Sequence, residues 1–312
     1  MPKNSHVVVL GTFDGIHKGH AAVLNAALGF RELIPVVVTF AEPPKRKVTG
    51  SFVPMLMTSE QKNAKLREMG FREIHVLDYD EIHDLAPEAF LDMLFEKYDI
   101  KAMVCGFNYR FGKDGAGDAA MLSTYCHEHG AEAVVVPAAV VSGQTVSSSL
   151  IRELISSGNI SFANMLLGQP FCFKNTVIHG DERGRILGFP TVNIELDEQL
   201  VVPKFGVYAS AVSVDGVYYP AVTNIGIRPT FLLKKPLSET HIVNFDGDLY
   251  GRKVTVSLLD FMREEKRFDG FDQLKSTIEN DRQTAVKAFR SGLIPTEFVT
   301  EADKQKFNEH LS

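Results

Sequence analysis

Histidines at positions 17 and 20, set in a glycine-rich turn, are residue types suited to a reacting phosphate. The stretch Gly11-Thr12-Phe13-Asp14-Gly15-Ile16-His17-Lys18-Gly19-His20 follows an apolar run, Val7-Val8-Val9-Leu10, and leads into a segment of helical period. Gly15 and Gly19 let backbone amides approach a phosphate, and the helix start adds partial positive charge. His17 and His20, at i and i+3, fall on one side of that helix, where two imidazoles can donate to a pentavalent phosphorus centre or to departing pyrophosphate. Gly11, Phe13 and Asp14 complete the expected phosphate turn. The alternative is a Gly-rich turn with two surface histidines. Its place directly after the first strand, where an α/β sheet presents its ligand crevice, favours the phosphate.

With its HxGH signature this turn resembles the nucleotidylyltransferase superfamily, whose members transfer AMP or CMP from a nucleoside triphosphate to a phosphate group. The second half of the resemblance is Val146-Ser147-Ser148-Ser149-Leu150-Ile151-Arg152, similar to the family's Ser-Ser-Thr/Ser-x-x-Arg motif. It implies that Ser148 and Ser149 cap a helix and meet phosphate oxygens, and that Arg152 neutralises charge on the β and γ phosphates. By itself a serine-rich stretch says only that a helix starts there. Between the two motifs, the segment from Gly106 to Asp118 looks like the loop of the bacterial bifunctional flavin synthetases. That likeness implies flavin contacts at Asn108, Arg110 and Phe111, with aromatic rings stacking on isoalloxazine or adenine and Arg110 meeting a phosphate. The plain reading is a Gly-rich loop ahead of a helix.

Further along, Gly184-Arg185-Ile186-Leu187-Gly188-Phe189-Pro190-Thr191-Val192-Asn193 resembles the riboflavin kinase signature. Gly184 and Gly188 permit close approach of a nucleotide, while Thr191 and Asn193, two apart on a strand, project to one face. Their neutral oxygens suit Mg²⁺, which takes its other ligands from water and from ATP phosphates. A loop entering an edge strand, with Thr and Asn in turn hydrogen bonds, is the alternative. The segments Thr223–Phe231 and Glu239–Gly251 look like the remaining kinase motifs. By that resemblance Glu239 is the general base for the ribityl 5′-hydroxyl, and Arg263 is a flavin or phosphate contact. Asp246 and Asp248 are better explained by a turn than by a metal, and Phe261 and Phe268 by core packing.

The likeness to the bifunctional riboflavin kinase/FAD synthetase family runs from about residue 6 to 290, motif by motif in the family's order. It implies phosphorylation of riboflavin to FMN by ATP in the C-terminal half, and adenylylation of FMN to FAD in the N-terminal half. Three positions depart from the pattern. Thr39-Phe40-Ala41-Glu42-Pro43-Pro44 stands where the family shows Thr-Phe-x-Pro-His-Pro, Asn108-Tyr109 replaces Asp-Phe, and Ser149 replaces Thr. The missing histidine removes a donor near the phosphates. Two narrower readings follow: a riboflavin kinase whose N-terminal domain is degenerate or differently specific, and a flavin-binding regulator without catalysis.

The elements that must carry these residues alternate from residue 6 to about 136: strands at 6–11, 34–40, 73–78, 101–106 and 132–136, helices at 17–28, 58–69, 87–97 and 118–129. Alternation of this kind predicts a doubly wound parallel sheet covered by helices on both faces. Thr58 and Gln61 read as a capping box, Pro87 as a first helical residue, and Gly70 and Gly130 as helix stops. Helices are expected from the serines at 147–149 and over 161–167. From Gly168-Gln169-Pro170 onward the pattern becomes strands with period-two alternation, which predicts a small antiparallel Greek-key barrel followed by a helix through Phe271, Leu274, Ile278, Ala285 and Phe289. Asp215-Gly216 and Asp246-Gly247 read as hairpin turns. The expected domains are therefore 1–168 and 171–292, with a tail at 293–312.

Composition narrows the partners. A net charge of −6 works against a nucleic-acid polyanion. The expected partners are riboflavin, FMN and ATP, with no nucleic acid and no membrane; oligomeric state is not legible. No basic n-region or long apolar run precedes the first strand, and Cys105, Cys126 and Cys172 lack metal-ligand spacing. The expectation is a cytoplasmic protein with reduced cysteines.

Overall fold

The computed structural model describes residues 5–44, 52–180, 189–227, 236–266, 268 and 270–291. The chain divides into two compact units, 1–148 and 149–312.

The first unit alternates β1 (His6–Leu10), α1 (Lys18–Leu28), β2 (Ile34–Phe40), α2 (Ser59–Glu68), β3 (Glu73–Leu77), α3 (Pro87–Lys97), β4 (Ile100–Gly106), α4 (Ala119–Glu128) and β5 (Glu132–Val136). These five strands pair in parallel, in the order β3-β2-β1-β4-β5. A strand buried on both faces needs apolar residues at every position, and β1 supplies them. Val7 and Val9 meet Leu24 of α1 and Leu66 of α2 in one layer. Val8 and Leu10 meet Leu91 and Leu94 of α3 and Leu122 of α4 in the other. The helix boundaries follow the expected caps: Thr58 and Gln61 form the full capping box, Pro87 opens α3, and Gly70 and Gly130 take positive φ of 108° and 71°. Strand order reverses between β1 and β4, so the turn leaving β1 sits at the switch point, where such sheets open a crevice.

In the second unit, α5 (Ser148–Ser157) and α6 (Ile160–Leu167) precede β6 (Phe171–Thr176), β7 (Val192–Glu195), β8 (Gly206–Val214), β9 (Val217–Ile227), β10 (Pro236–Ile242), β11 (Lys253–Arg263) and α7 (Phe271–Arg290). Six antiparallel strands run in the order β6-β11-β8-β9-β10-β7. A bridge from Ile178 to Asn193 and a bond from Asn175 Nδ2 to the Glu195 carbonyl (3.0 Å) draw the outer strands together into a nearly closed barrel. The interior holds a file of hydroxyls, Ser210 to Thr223 (2.7 Å) to Thr240 (2.9 Å). Outside, Ala209, Ala211 and Leu259 give α7 a low surface on which Ala285 packs. Asn164 fastens α6 to the barrel, donating to the Leu258 carbonyl and accepting from the Phe171 amide, both at 2.8 Å.

Asp215-Gly216 is the expected hairpin turn, with φ of 50° and 84° and Val214 paired to Val217. Asp246-Gly247 is not. Strands β10 and β11 are not neighbours, so this pair lies in a connection between strands that do not pair. A two-residue hairpin turn requires positive φ at the first or at both central residues, whereas the positive-φ residues of this stretch are Asn244 (56°) and Gly251 (74°). The expected tail at 293–312 lies outside the described residues.

Candidate active sites

In the first unit the turn after β1 is held in an uncommon backbone conformation. Phe13 and Ile16 have φ of 52° and 39°, and Gly15 has 88°. Left-handed backbone costs a non-glycine residue about 1–3 kcal/mol and persists where packing fixes it. Here both side chains are buried in the core beneath α1. A Cβ on Gly11 would lie 2.8 Å from the Phe13 ring, so the ring's packing demands glycine there.

His17 caps α1: its Nδ1 accepts the His20 amide at 3.2 Å. Acceptance at Nδ1 leaves the neutral ring's proton on Nε2, which fixes which nitrogen can donate. The two imidazoles stack at 3.6 Å between centroids and 16° between planes, and His20 also meets the Phe13 ring edge. Gly19 belongs to the same arrangement, since a Cβ there would sit 3.2 Å from the His17 ring. The expectation that both histidines share one side of the turn is met in the geometry.

Asp14 is buried, and its carboxylate accepts the Leu56 amide at 2.8 Å. Ser148 Oγ donates to the Asp14 carbonyl at 2.9 Å, which brings two of the expected residues together. Sequence reasoning missed Lys62. Only 5% exposed, it donates from Nζ to the Thr12 carbonyl at 3.2 Å and to the Phe40 carbonyl, tying the ends of β1 and β2. Burial lowers its pKa to about 8, with the Asp14 carboxylate pulling the other way. A lysine on a polar helix gives no sign in sequence of such a position. Nearby, a cavity of about 420 Å³ opens at the ends of β2 and β3, lined by Phe40, Pro43, Pro44 and Tyr79 among others.

The loop after β4 separates its candidates. Asn108 and Arg110 are exposed, and Arg110 faces Asp118 at 3.8 Å. Phe111 is core: it packs on Phe90 and Tyr109, and a Cβ on Gly117 would come within 2.6 Å of its ring. An anchored ring cannot also stack on a ligand, so the aromatic this loop offers to solvent is Phe107, which is 51% exposed.

In the second unit Ser149 and Arg152 lie in the first two turns of α5. Gly184 and Gly188 fall outside the described residues. Thr191 and Asn193 line a cavity of about 410 Å³ together with Asp246, Asp248 and Tyr250. Asp248 accepts the Tyr250 amide at 2.9 Å, a turn bond as expected. Asn193 is buried, and Gly180 accommodates it: a Cβ there would lie 2.1 Å from Asn193 Nδ2. Cross-strand pairing sets Asn193 opposite Glu239, Glu239 opposite Asn224, Asn224 opposite Val207, and Val207 opposite Arg263. Directly opposed residues project from the same face, so Asn193, Glu239, Asn224 and Arg263 share one row across the barrel wall, with Val207 between the last two. His241, two residues beyond Glu239, contacts the Pro190 carbonyl at 2.9 Å from Nδ1, just ahead of Thr191. Burial lowers its pKa, and nearby Arg282 acts in the same direction, while the Pro190 bond and Glu279 oppose.

Arg263 is engaged rather than open. It makes a two-pronged ion pair with Asp281 of α7, Nη2 to Oδ2 at 2.7 Å and Nε to Oδ1 at 3.2 Å. Its guanidinium also lies 5.9 Å from the Phe268 ring. The geometry makes it the bolt between α7 and β11.

A glycine and histidine turn at the switch point of a parallel sheet, joined in one chain to an antiparallel barrel with a Thr/Asn/Glu constellation, defines a two-part transferase: a nucleotidylyltransferase-like unit and a kinase-like barrel. Family models agree with both parts. The FAD synthetase model matches residues 1–150 and the riboflavin kinase model residues 167–289. The chain is 33% identical to the bifunctional riboflavin kinase/FMN adenylyltransferase of Bacillus subtilis, covering 91% of this chain and 92% of that protein. Against the Escherichia coli protein of the same description, identity is 34% with 92% and 94% covered. A crystal structure from Streptococcus pneumoniae, described as a macrolide-efflux protein, superposes with a TM-score of 0.82 at 33% identity, covering 91% of this chain and 94% of that one. The chain belongs to the bifunctional riboflavin kinase/FMN adenylyltransferase family, with both catalytic domains present. Among the described residues, no helix is long and apolar enough to cross a membrane.

Proposed function

We propose that the two units carry out successive steps from riboflavin to FAD, with residues 1–168 serving adenylyl transfer and 171–292 serving phosphorylation. In the barrel, Glu239 accepts the proton of the ribityl 5′-hydroxyl as that oxygen attacks the γ-phosphorus of ATP; the bond to the bridging oxygen breaks, leaving FMN and ADP. In the first unit, the FMN phosphate attacks the α-phosphorus of a second ATP and pyrophosphate leaves. His17 and His20 donate ring N–H groups to the oxygens on which charge develops, and Gly11, Gly15 and Gly19 keep the turn's backbone open to the phosphates. Ser148, Ser149 and Arg152 are assigned to the triphosphate, and Asn108 and Arg110 to the flavin nucleotide.

Magnesium is part of the proposal. When bound, it would blunt the repulsion between the triphosphate and the incoming oxygen. The Gly180 cradle around buried Asn193 suits an amide oxygen held in one place, and Thr191 adds a hydroxyl at the same cavity. We place the work in the cytoplasm, in keeping with buried thiols at Cys105 and Cys126.

The observation that carries the reading is the pairing of Glu239 with Asn193 on adjacent strands, a potential base beside a neutral oxygen donor. A protein that only bound flavin would need no base there. Chromatography of products from riboflavin, ATP and Mg²⁺ tests it. FMN followed by FAD is expected; FMN alone would reduce the first unit to another role, and no ADP release would overturn catalysis altogether.

A further inference from the structure

The kinase reading leaves Asn224 without a task. It stands on β9 directly opposite Glu239, on the same face of the barrel wall. Its amide orientation is fixed by a neighbour: Nδ2 donates to Glu265 Oε1 at 2.8 Å. A carboxylate oxygen offers no hydrogen to an amide oxygen, so the NH₂ end must face Glu265 and Oδ1 must face away. That Oδ1 is buried and has no hydrogen-bond partner among the described residues. Gly226, two residues along the same strand, makes room for the arrangement, because a Cβ there would lie 2.8 Å from Glu265 Oε1.

A buried acceptor without a donor calls for an explanation, and a ligand donor is one. Once a neighbouring side chain makes way for the substrate, such an acceptor meets the ligand's hydroxyl with little competing water, so the bond gains more than it would at an open surface. Neighbouring strands stand about 4.8 Å apart, a span that two hydroxyls of one polyol chain can bridge. Resting on the kinase reading, we propose that Asn224 is a specificity-determining residue: its Oδ1 accepts a hydrogen bond from a secondary hydroxyl of the ribityl chain while Glu239 takes the proton of the terminal one. Glu265 is then a positioning residue, since it holds the amide with its oxygen toward the substrate.

The test is a cycle of substrate against variant. Riboflavin and its 2′-, 3′- and 4′-deoxy analogues are phosphorylated by the wild-type chain, by Asn224→Ala and by the milder Asn224→Ser, and kcat/KM is compared. Wild type should lose about tenfold on the analogue lacking the contacted hydroxyl, and Asn224→Ala should show nearly no loss on that same analogue, with Asn224→Ser between them. Each penalty is a ratio within one protein preparation, so partial misfolding cancels. If Asn224→Ala is inactive, Asn224→Ser is read the same way. Unchanged penalties at every ribityl position in the variants would overturn the inference alone. Wild-type protein that turns over no riboflavin would overturn the kinase reading beneath it.

Discussion

Lys62 should titrate near pH 8, and its removal should change stability in a way that depends on pH. Burial moves its pKa from 10.5 to about 8. At about 1.4 kcal/mol per pH unit, the ammonium form costs the folded state about 3 kcal/mol more than it costs the unfolded chain. Because the folded value lies below the unfolded one, between pH 8 and 10.5 the unfolded chain still holds a proton the folded chain has shed. Stability therefore rises with pH through that window, and the gain is lost as pH falls back to 8. The neutral amine still has two N–H groups for the Thr12 and Phe40 carbonyls, so the clamp survives deprotonation. Lys62→Met abolishes the charge cost but leaves both carbonyls without this donor, at about 1–3 kcal/mol each. At pH 7 the two effects nearly offset. By pH 10 wild type should have pulled ahead of the variant by about 2.5 kcal/mol. Urea unfolding of both proteins at a series of pH values reads the difference, in which the other titrating groups cancel, and the lysine Cε chemical shift reads the midpoint directly. Asp14→Asn should move the midpoint lower still, since it removes the charge that favours the ammonium. A midpoint at 10.5, or a stability difference flat across the window, would refute the reasoning.

Glu239→Gln should abolish FMN formation while adenylylation of supplied FMN continues, and His17→Ala should do the reverse; chromatography of FMN and FAD separates the two, and equal loss of both activities in either variant would count against independent sites. Thr58→Ala removes half of an intact capping box and should destabilise the first unit by about 1 kcal/mol, measured as a shift in the urea midpoint. Asp281→Asn leaves Arg263 without its carboxylate at a half-buried position. The second unit should lose roughly 2 kcal/mol after allowance for solvent screening, seen as a lowered Tm, and retention of wild-type Tm would mean that the ion pair does not bolt α7 to the barrel.

What could be read in the sequence was whatever a single segment states by itself. Five parallel strands were legible because each apolar run is bounded by a local signal, such as the Thr58 and Gln61 box, Pro87, or the glycines at 70 and 130. The histidine turn was legible because all its parts lie within ten residues. The hairpin signal shows where such reasoning stops: Asp215-Gly216 and Asp246-Gly247 are the same dipeptide, yet only the first has the backbone angles and the adjacent strands that make it a hairpin. Phe111 looked like a stacking platform because its burial against Phe90 comes from another element, and Phe107, four residues earlier, is the exposed ring. Arg263 looked open because Asp281, its partner, is on a different helix.

The row across the barrel is the sharper case. Period-two alternation tells which residues of one strand share a face, but not which residue of the next strand they meet. Asn193, Asn224 and Glu239 come from three strands, and their adjacency depends on the register of two ladders. A slip of one residue in β10 would turn Glu239 into the barrel interior, where Thr240 now joins the hydroxyl file, and would bring Thr240 out to the row. Burying a carboxylate among hydroxyls while exposing an interior threonine is costly. The buried Ser210, Thr223 and Thr240 file therefore does more than fill the interior, because its satisfied bonds select the one register in which Glu239, Asn193 and Asn224 stand side by side.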